Sequence, residues 1–307
     1  MSVKHVWDSE SFRQTVLGNS LAAGAPRGPT APPAHVPTDA FALVTRQLKL
    51  ASLWPALPAC LKKAFTRAYQ CFERSADLLD RAAKAQTGDP PFVHDFLGTV
   101  VSRVRSLGPG EALVLSRPSP LPGEKDGNAR IHYVVHRNAV APAGCDYSLA
   151  VCTMSTAALE YHPAKVDPAT GSLSHATPLL LRDIPSVRLC DGAFWYLALL
   201  VEHKDLAHAS ALYERMLPAL NGRPLLSNWS NEALADPNPA GLRAPATSHW
   251  RPDALAGPNR PVDLHGHELA SLAGVAAVQF AAEGDISVAS GLAGDAHRWC
   301  LMNTDEH

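Results

Sequence analysis

The chain has 307 residues, 46% hydrophobic and 18% charged, with a formal net charge of −2. That is enough chain to bury a core as one large domain or two small ones, and too little charge to give an electrostatic footprint for nucleic acid or an anionic membrane. No window approaches the ~20 apolar residues that a membrane span needs. The start, Met1-Ser-Val-Lys-His-Val-Trp-Asp-Ser-Glu10, has no apolar stretch behind a basic beginning, so it is not a secretory signal. Six cysteines (Cys60, Cys71, Cys145, Cys152, Cys190, Cys300) are scattered without close pairing. This usage suits reduced thiols in a cytoplasmic setting rather than a disulfide framework.

Residues 1–37 read as a mobile N-terminus, because 19–37 is rich in Ala, Gly and Pro. Thr38-Asp39 caps a predicted helix running to about Trp54. Pro58 opens a longer one to about Ala85, whose Leu61, Phe65, Tyr69 and Phe72 fall on one face, with Cys71 beside them and Leu78 and Leu79 extending it. Asp89-Pro-Pro91 stops that helix and starts another, in which Phe92, Phe96, Val100 and Val104 form a stripe. Gly108 is the expected C-terminal cap.

The period then changes. Ala112–Ser116, Ile131–His136 and Tyr147–Thr153 are strand candidates, and Asn138 and Gly144 between the last two predict an antiparallel hairpin. Further apolar runs end at Pro163 (Leu159–His162) and Pro185 (Leu179–Ile184). Asp191 begins a helix predicted to reach about His203, with Phe194, Leu197 and Val201 facing the core and Trp195 with Leu199 widening that stripe. Asp205 caps a second helix ending near Gly222. Beyond Pro224 the chain is Pro- and Asn-rich, then Ala/Gly/Val-rich, with a possible helix over 268–280 and a strand at Ile286. The predicted class is α+β: a core domain over 38–225, helical to 107 and then an antiparallel, hairpin-rich sheet followed by a helix pair, with a poorly ordered Pro/Ala-rich tail over 226–307.

Candidate chemistry is sparse. His132 and His136 lie four apart on one strand and therefore share a face. Asp146 or Glu160 across a hairpin would orient either as a base. Cys152 sits inside a predicted strand, where a thiol usually behaves as a small hydrophobe. Cys300 follows Arg298-Trp299, and a nearby Arg lowers a thiol pKa. His265-Gly-His267, with Asp263 and Glu268 adjacent, offers a metal reading, but zinc needs three or four converging ligands and no Cys-x-x-Cys occurs. No phosphate-cradling Gly-rich loop and no Gly-x-Ser-x-Gly turn is present. No cofactor is expected.

From Leu107-Gly-Pro-Gly-Glu111 onward the order of motifs carries a resemblance. It runs through His132-Tyr-Val-Val-His-Arg137, Leu159-Glu-Tyr-His-Pro163, Asp183-Ile-Pro185, Asp191-Gly-Ala-Phe-Trp195 and Leu212-Tyr-Glu-Arg-Met-Leu-Pro-Ala-Leu-Asn-Gly-Arg-Pro-Leu225. It resembles the N-terminal half of a cysteine-peptidase-like module of large, poorly characterised eukaryotic (protist-type) proteins, over about 120 residues. The resemblance implies a Gly-His-Ala before the Tyr-Val-Val strand; this chain has Gly127-Asn128-Ala129, and an amide is no base. It implies an Asn-Thr-Gly before Leu-Glu-Tyr-His-Pro; this chain has Met154-Ser155-Thr156. It implies a Gln-to-Cys nucleophile segment, yet no Gln occurs between Leu225 and Gln279. The expectation is a degenerate or truncated, non-catalytic copy that binds or scaffolds, with a protein as its partner. The alternatives are an active cysteine hydrolase using His132 or His136 with Cys300 or Cys152, and a metal-binding module at His265 and His267.

Overall fold

A computed structural model describes residues 36–55, 57–85, 89–117, 131–139, 146–153, 164–166, 173–175, 179–201, 210–221, 273 and 277. Three helices come first: α1 (Val36–Ser52), α2 (Ala59–Ala85) and α3 (Pro90–Ser106). The apolar spacing that predicts α2 is also what buries it: Leu61, Phe65, Ala68, Cys71, Phe72 and Leu78 all face inward. Tyr69 stays half-exposed, its hydroxyl donating to Glu73 Oε1 at 2.6 Å. Phe41 of α1 stacks on Phe72 of α2 with ring centroids 4.6 Å apart. α2 and α3 run antiparallel, because Arg81 pairs with Asp95 at 3.0 Å while Arg103 pairs with Asp77 at 2.6 Å. These pairs are solvent-exposed and contribute little beyond register.

The strands are β1 (Ala112–Ser116), β2 (Ile131–Arg137), β3 (Tyr147–Thr153), β4 (Ala164–Val166), β5 (Leu173–His175) and β6 (Leu179–Ile184). β1, β2, β3 and β6 form one sheet in that order, every neighbour antiparallel, and β4 and β5 form a separate two-stranded ribbon. The hairpin β2–β3 is the one the sequence predicts. Then come α4 (Ser186–Leu189), α5 (Gly192–Leu199), a π-helical turn over Ala211–Met216 and α6 (Leu217–Asn221). Pro218 lies just beyond that turn and has no N–H to give to a preceding carbonyl, which favours a widened coil. The α+β architecture is as the sequence implies.

The sheet has an apolar layer on each side. One face, with Val114, Val134 and Ala150, packs on α1 and α2. The other, with Leu113, Leu115, Tyr133, Val135, Leu149 and Val151, packs on α3, α5 and the residues 212–220. Ala273 and Ala277, both helical, are buried in the first layer, so the core draws on the chain beyond 225. Edge strand β1 is closed by a side chain: Ser75 Oγ of α2 accepts from Val114 N at 2.8 Å and donates to Cys71 O at 2.8 Å. That satisfies a backbone donor which an uncovered edge would leave open.

Several local expectations differ in detail. Gly108 does not cap α3 in a left-handed conformation; Leu107 ends the helix in extended backbone, and Gly110 takes the positive φ of 79° one turn later. Phe92 is 51% exposed, because the first turn of α3 overhangs the core that holds Phe96, Val100 and Val104. α5 ends at Leu199, and its inward side is Phe194, Trp195, Ala198 and Leu199, so Leu197 points outward. The run Leu159–His162 lies outside the described residues.

Candidate functional site

Register places the polar side chains. On the face toward α1 and α2 the sheet presents three cross-strand rows. The middle row is apolar: Val114, Val134 and Ala150. The row at one end is Ser116, His132 and Cys152, and the row at the other is Ala112, His136 and Ser148. His132 and His136 do share a face, and each sits in a different polar row.

In the first row Ser116 Oγ is 2.5 Å from His132 Nδ1. The closeness follows from the ladder. Arg117 N donates to Ile131 O at 3.0 Å, making that couple a hydrogen-bonded pair. Its neighbour, Ser116 with His132, is then a non-hydrogen-bonded pair, the kind whose side chains approach most closely. On the other side, Asn138 N donates to Asp146 O at 2.8 Å. Counting along the hairpin, His132 and Cys152 form a hydrogen-bonded pair, with Cα atoms about 5.5 Å apart. One histidine therefore shares its row with a serine on one neighbouring strand and a cysteine on the other.

Burial weighs against turnover. Cys152 is 0% exposed, and Ser116 and His132 are each 7% exposed. Arg117, on the opposite face of the same sheet end, is also fully buried, and its Nη2 donates to Val201 O at 3.0 Å. A guanidinium remains charged in such a place, so its donors must be met by oxygens.

The second row is organised around His136. Burial holds its imidazole well below the ordinary value, at about 4; a hydrogen bond with Asn138 works upward, and the charges of Arg182 and Arg67 work downward. His136 is therefore neutral at pH 7. Ser148 Oγ donates to Asn138 Oδ1 at 2.8 Å. Arg182 reaches this row because β6 is irregular here: Tyr147 pairs with Ile184 and Leu149 with Leu181, leaving Arg182 and Asp183 opposite Ser148. Asp183 takes a φ of 57° at that bulge. Arg67 of α2 lies against Gly110, where a Cβ would come within 3.0 Å of its Nη1. Nearby, Glu111 is held below the usual carboxylate range: burial works to raise it, and it is outweighed by hydrogen bonds from Gly108 N and Arg74 and by the charges of Arg74 and Arg67.

Of the candidates named from sequence, the structure brings His132 and Cys152 together. Asp146 stands at the end of the hairpin, its carbonyl engaged by Asn138, two residues beyond the partner of His136. Cys300, His265, His267, Asp263, Glu160, Glu268, Asn128 and Met154 lie outside the described residues. Among the described residues no group of three or more His, Cys, Asp or Glu is placed to hold a metal ion, and no helix is long and apolar enough to cross a membrane. Ser116, Asn138, Ser148, Arg67 and Arg182 were not foreseen. Ser116 could have been found by extending the strand pairing from the β2–β3 hairpin to β1. Arg182 could not, since it depends on a bulge. No family model, no curated protein and no solved structure matches the chain.

Proposed function

We propose that this chain is a non-catalytic binding or scaffold unit, a degenerate relative of a cysteine-peptidase-like module, working in the cytoplasm with a protein partner. The observation that carries this reading is the complete burial of Cys152, the thiol placed opposite His132. A nucleophile must come within about 3–3.5 Å of a substrate carbonyl, and a thiol sealed between sheet and helices does not. Binding is supported by the surface. α3 and α5 pack together, and both leave large apolar side chains in solvent: Phe92, Tyr196 and Leu197, with Val187 of α4 nearby in sequence. Exposed apolar area of this kind suits a protein partner.

The test is turnover. Purified protein is offered activated thioesters, esters and peptide amides, and compared with Cys152→Ala and Cys300→Ala. The expected result is no thiol-dependent hydrolysis in any of the three. Hydrolysis that disappears in either variant, with the fold intact by circular dichroism, overturns the reading. It would favour the second one, a cysteine hydrolase with Cys152 or Cys300 as nucleophile. What supports that alternative is the Ser116–His132–Cys152 row itself.

A further inference from the structure

We propose that the outward side of α5, with the adjoining parts of α3 and α4, is a docking surface for an amphipathic helix of a partner protein, one whose apolar stripe ends in carboxylates. This rests on the binding reading above and names the partner's chemistry.

The first observation is composition. α5 reads Gly192-Ala-Phe-Trp-Tyr-Leu-Ala-Leu199, without a charged residue. A helix that is apolar on every side is normally buried on every side. This one is buried on one side only, through Phe194, Trp195, Ala198 and Leu199, while Tyr196 is 43% and Leu197 36% exposed. The exposure is concentrated. Among the described residues the large apolar side chains that stand in solvent are Leu53, Phe92, Val187, Tyr196 and Leu197, and all but Leu53 lie on α3, α4 and α5.

The second is shape. α5 starts against α3, where a Cβ on Gly192 would lie 3.9 Å from Val101 Cγ2. Leu97, one turn before Val101 on α3, and Leu200, just past α5, are only partly buried. Two packed helices with apolar side chains along their outer sides offer the kind of furrow in which a partner helix lays its apolar face.

The third is charge, and it decides the kind of partner. Arg105 of α3 and Arg188 of α4 are exposed where these elements lead into α5. Arg105 Nη2 donates to Cys190 O at 3.5 Å, and Arg188 Nη1 donates to Leu220 O at 3.3 Å. Neither guanidinium has a carboxylate within ion-pair distance among the described residues. Asp191, the one acid between Ser186 and Leu200, is committed to its own helix, its Oδ1 accepting from Ala193 N at 2.9 Å. On the α2 side of α3 the arginines are already answered, Arg81 by Asp95 and Arg103 by Asp77. The face is thus apolar along α5 and cationic at the end where α5 begins. Complementary charge fixes the orientation of a docked partner and rejects the wrong one, so carboxylates belong at one end of the partner's stripe.

The experiment titrates the full chain with two fluorescent synthetic peptides of about 15 residues, long enough to hold a helix. Both carry the same Leu/Phe stripe at i, i+3, i+4 and i+7. One ends in Glu residues and the other has Lys in their place. By fluorescence anisotropy the Glu peptide is expected to bind about tenfold tighter than the Lys peptide, with the preference shrinking as salt rises. Tyr196→Ser combined with Leu197→Ser is expected to weaken the Glu peptide about tenfold or more, the loss typical of anchor side chains. Leu53→Ser, next to α1 on the other side of the sheet, is expected to change nothing. Arg105→Gln combined with Arg188→Gln is expected to erase the preference while the apolar binding remains. Circular dichroism verifies the fold of each variant. Equal affinity for the two peptides, no saturable binding of either up to about 1 mM, or Glu-peptide binding that survives the Tyr196 and Leu197 substitutions overturns the proposal. Any of these leaves the binding reading in place, whereas thiol-dependent hydrolysis sinks that reading whatever the peptides do.

Discussion

Acid should weaken this fold through one residue, His136. Its imidazole titrates at about 4 in the fold against 6.5 for an ordinary histidine, chiefly because it is buried. In the unfolded chain it binds a proton as pH falls through 6.5, whereas in the native state it stays neutral. The unfolded state then holds more protons, so stability is complete above pH 6.5 and falls as pH drops toward 4. The interval spans roughly 2.5 pH units, worth about 3 kcal/mol at 1.36 kcal/mol each. His136 is 1% exposed, so solvent screening takes little from that figure. Against a typical domain stability of roughly 5–15 kcal/mol it is a large share. Urea denaturation of the wild type and His136→Gln at pH 7.5, 6.5, 5.5 and 4.5 measures it. Gln keeps a hydrogen-bonding side chain and does not titrate. Carboxylates such as Glu111 act in both proteins and cancel in the difference. The expected outcome is a wild-type loss about 2.5 kcal/mol larger than that of the variant between pH 7.5 and 4.5. Parallel curves would refute the claim that His136 is held neutral by burial beside Arg67 and Arg182.

Three further outcomes follow from local geometry, each readable by chemical denaturation at pH 7. Ser75→Ala leaves the Val114 N–H buried without its oxygen and should cost about 1–3 kcal/mol. A glycine pair gives opposite signs: Gly110→Ala combines a φ of 79° with a Cβ 3.0 Å from Arg67 Nη1 and should cost about 1–2 kcal/mol. Gly98→Ala, inside α3 with nothing within 4 Å, should instead stabilise by about 0.5–1 kcal/mol; equal effects at the two sites would contradict this account of Gly110. Trp195→Ala should cost about 3–5 kcal/mol, since the indole is fully buried, its Nε1 donates to Leu189 O at 2.8 Å, and it meets Phe194 and Tyr133 edge-on.

The elements were legible in the sequence wherever one physical rule acted alone. The 3.6-residue recurrence of Leu61, Phe65 and Phe72 forces an inward stripe on any helix, so α2 was readable at near its observed bounds. Pro90 opening α3 and Asp191 accepting from Ala193 N at the start of α5 are local chemistry of the same kind. The runs Ala112–Ser116 and Tyr147–Thr153 were strands because β-rich apolar stretches bounded by turn residues have little else to do. Alternation also placed His132 and His136 on one face.

What only the tertiary structure decided is what those histidines meet. A strand's sequence fixes which residues share a face, but neighbours across the sheet depend on register between segments separated by loops. Ser116 came to His132 because β1 pairs with β2 across fourteen intervening residues, and Cys152 because β3 pairs on the other side. The bulge opposite Ser148 turned Arg182 toward His136, and the crossing of α2 brought Arg67 to Gly110 and Ser75 to the edge of β1. Exposure was likewise settled by packing: Phe92 and Leu197 are apolar and lie in solvent, the first because the opening turn of α3 overhangs the core, the second because it faces outward from α5. Local sequence sets periodicity and termini, while long-range pairing sets who stands beside whom, and the chemistry of this chain rests on the second.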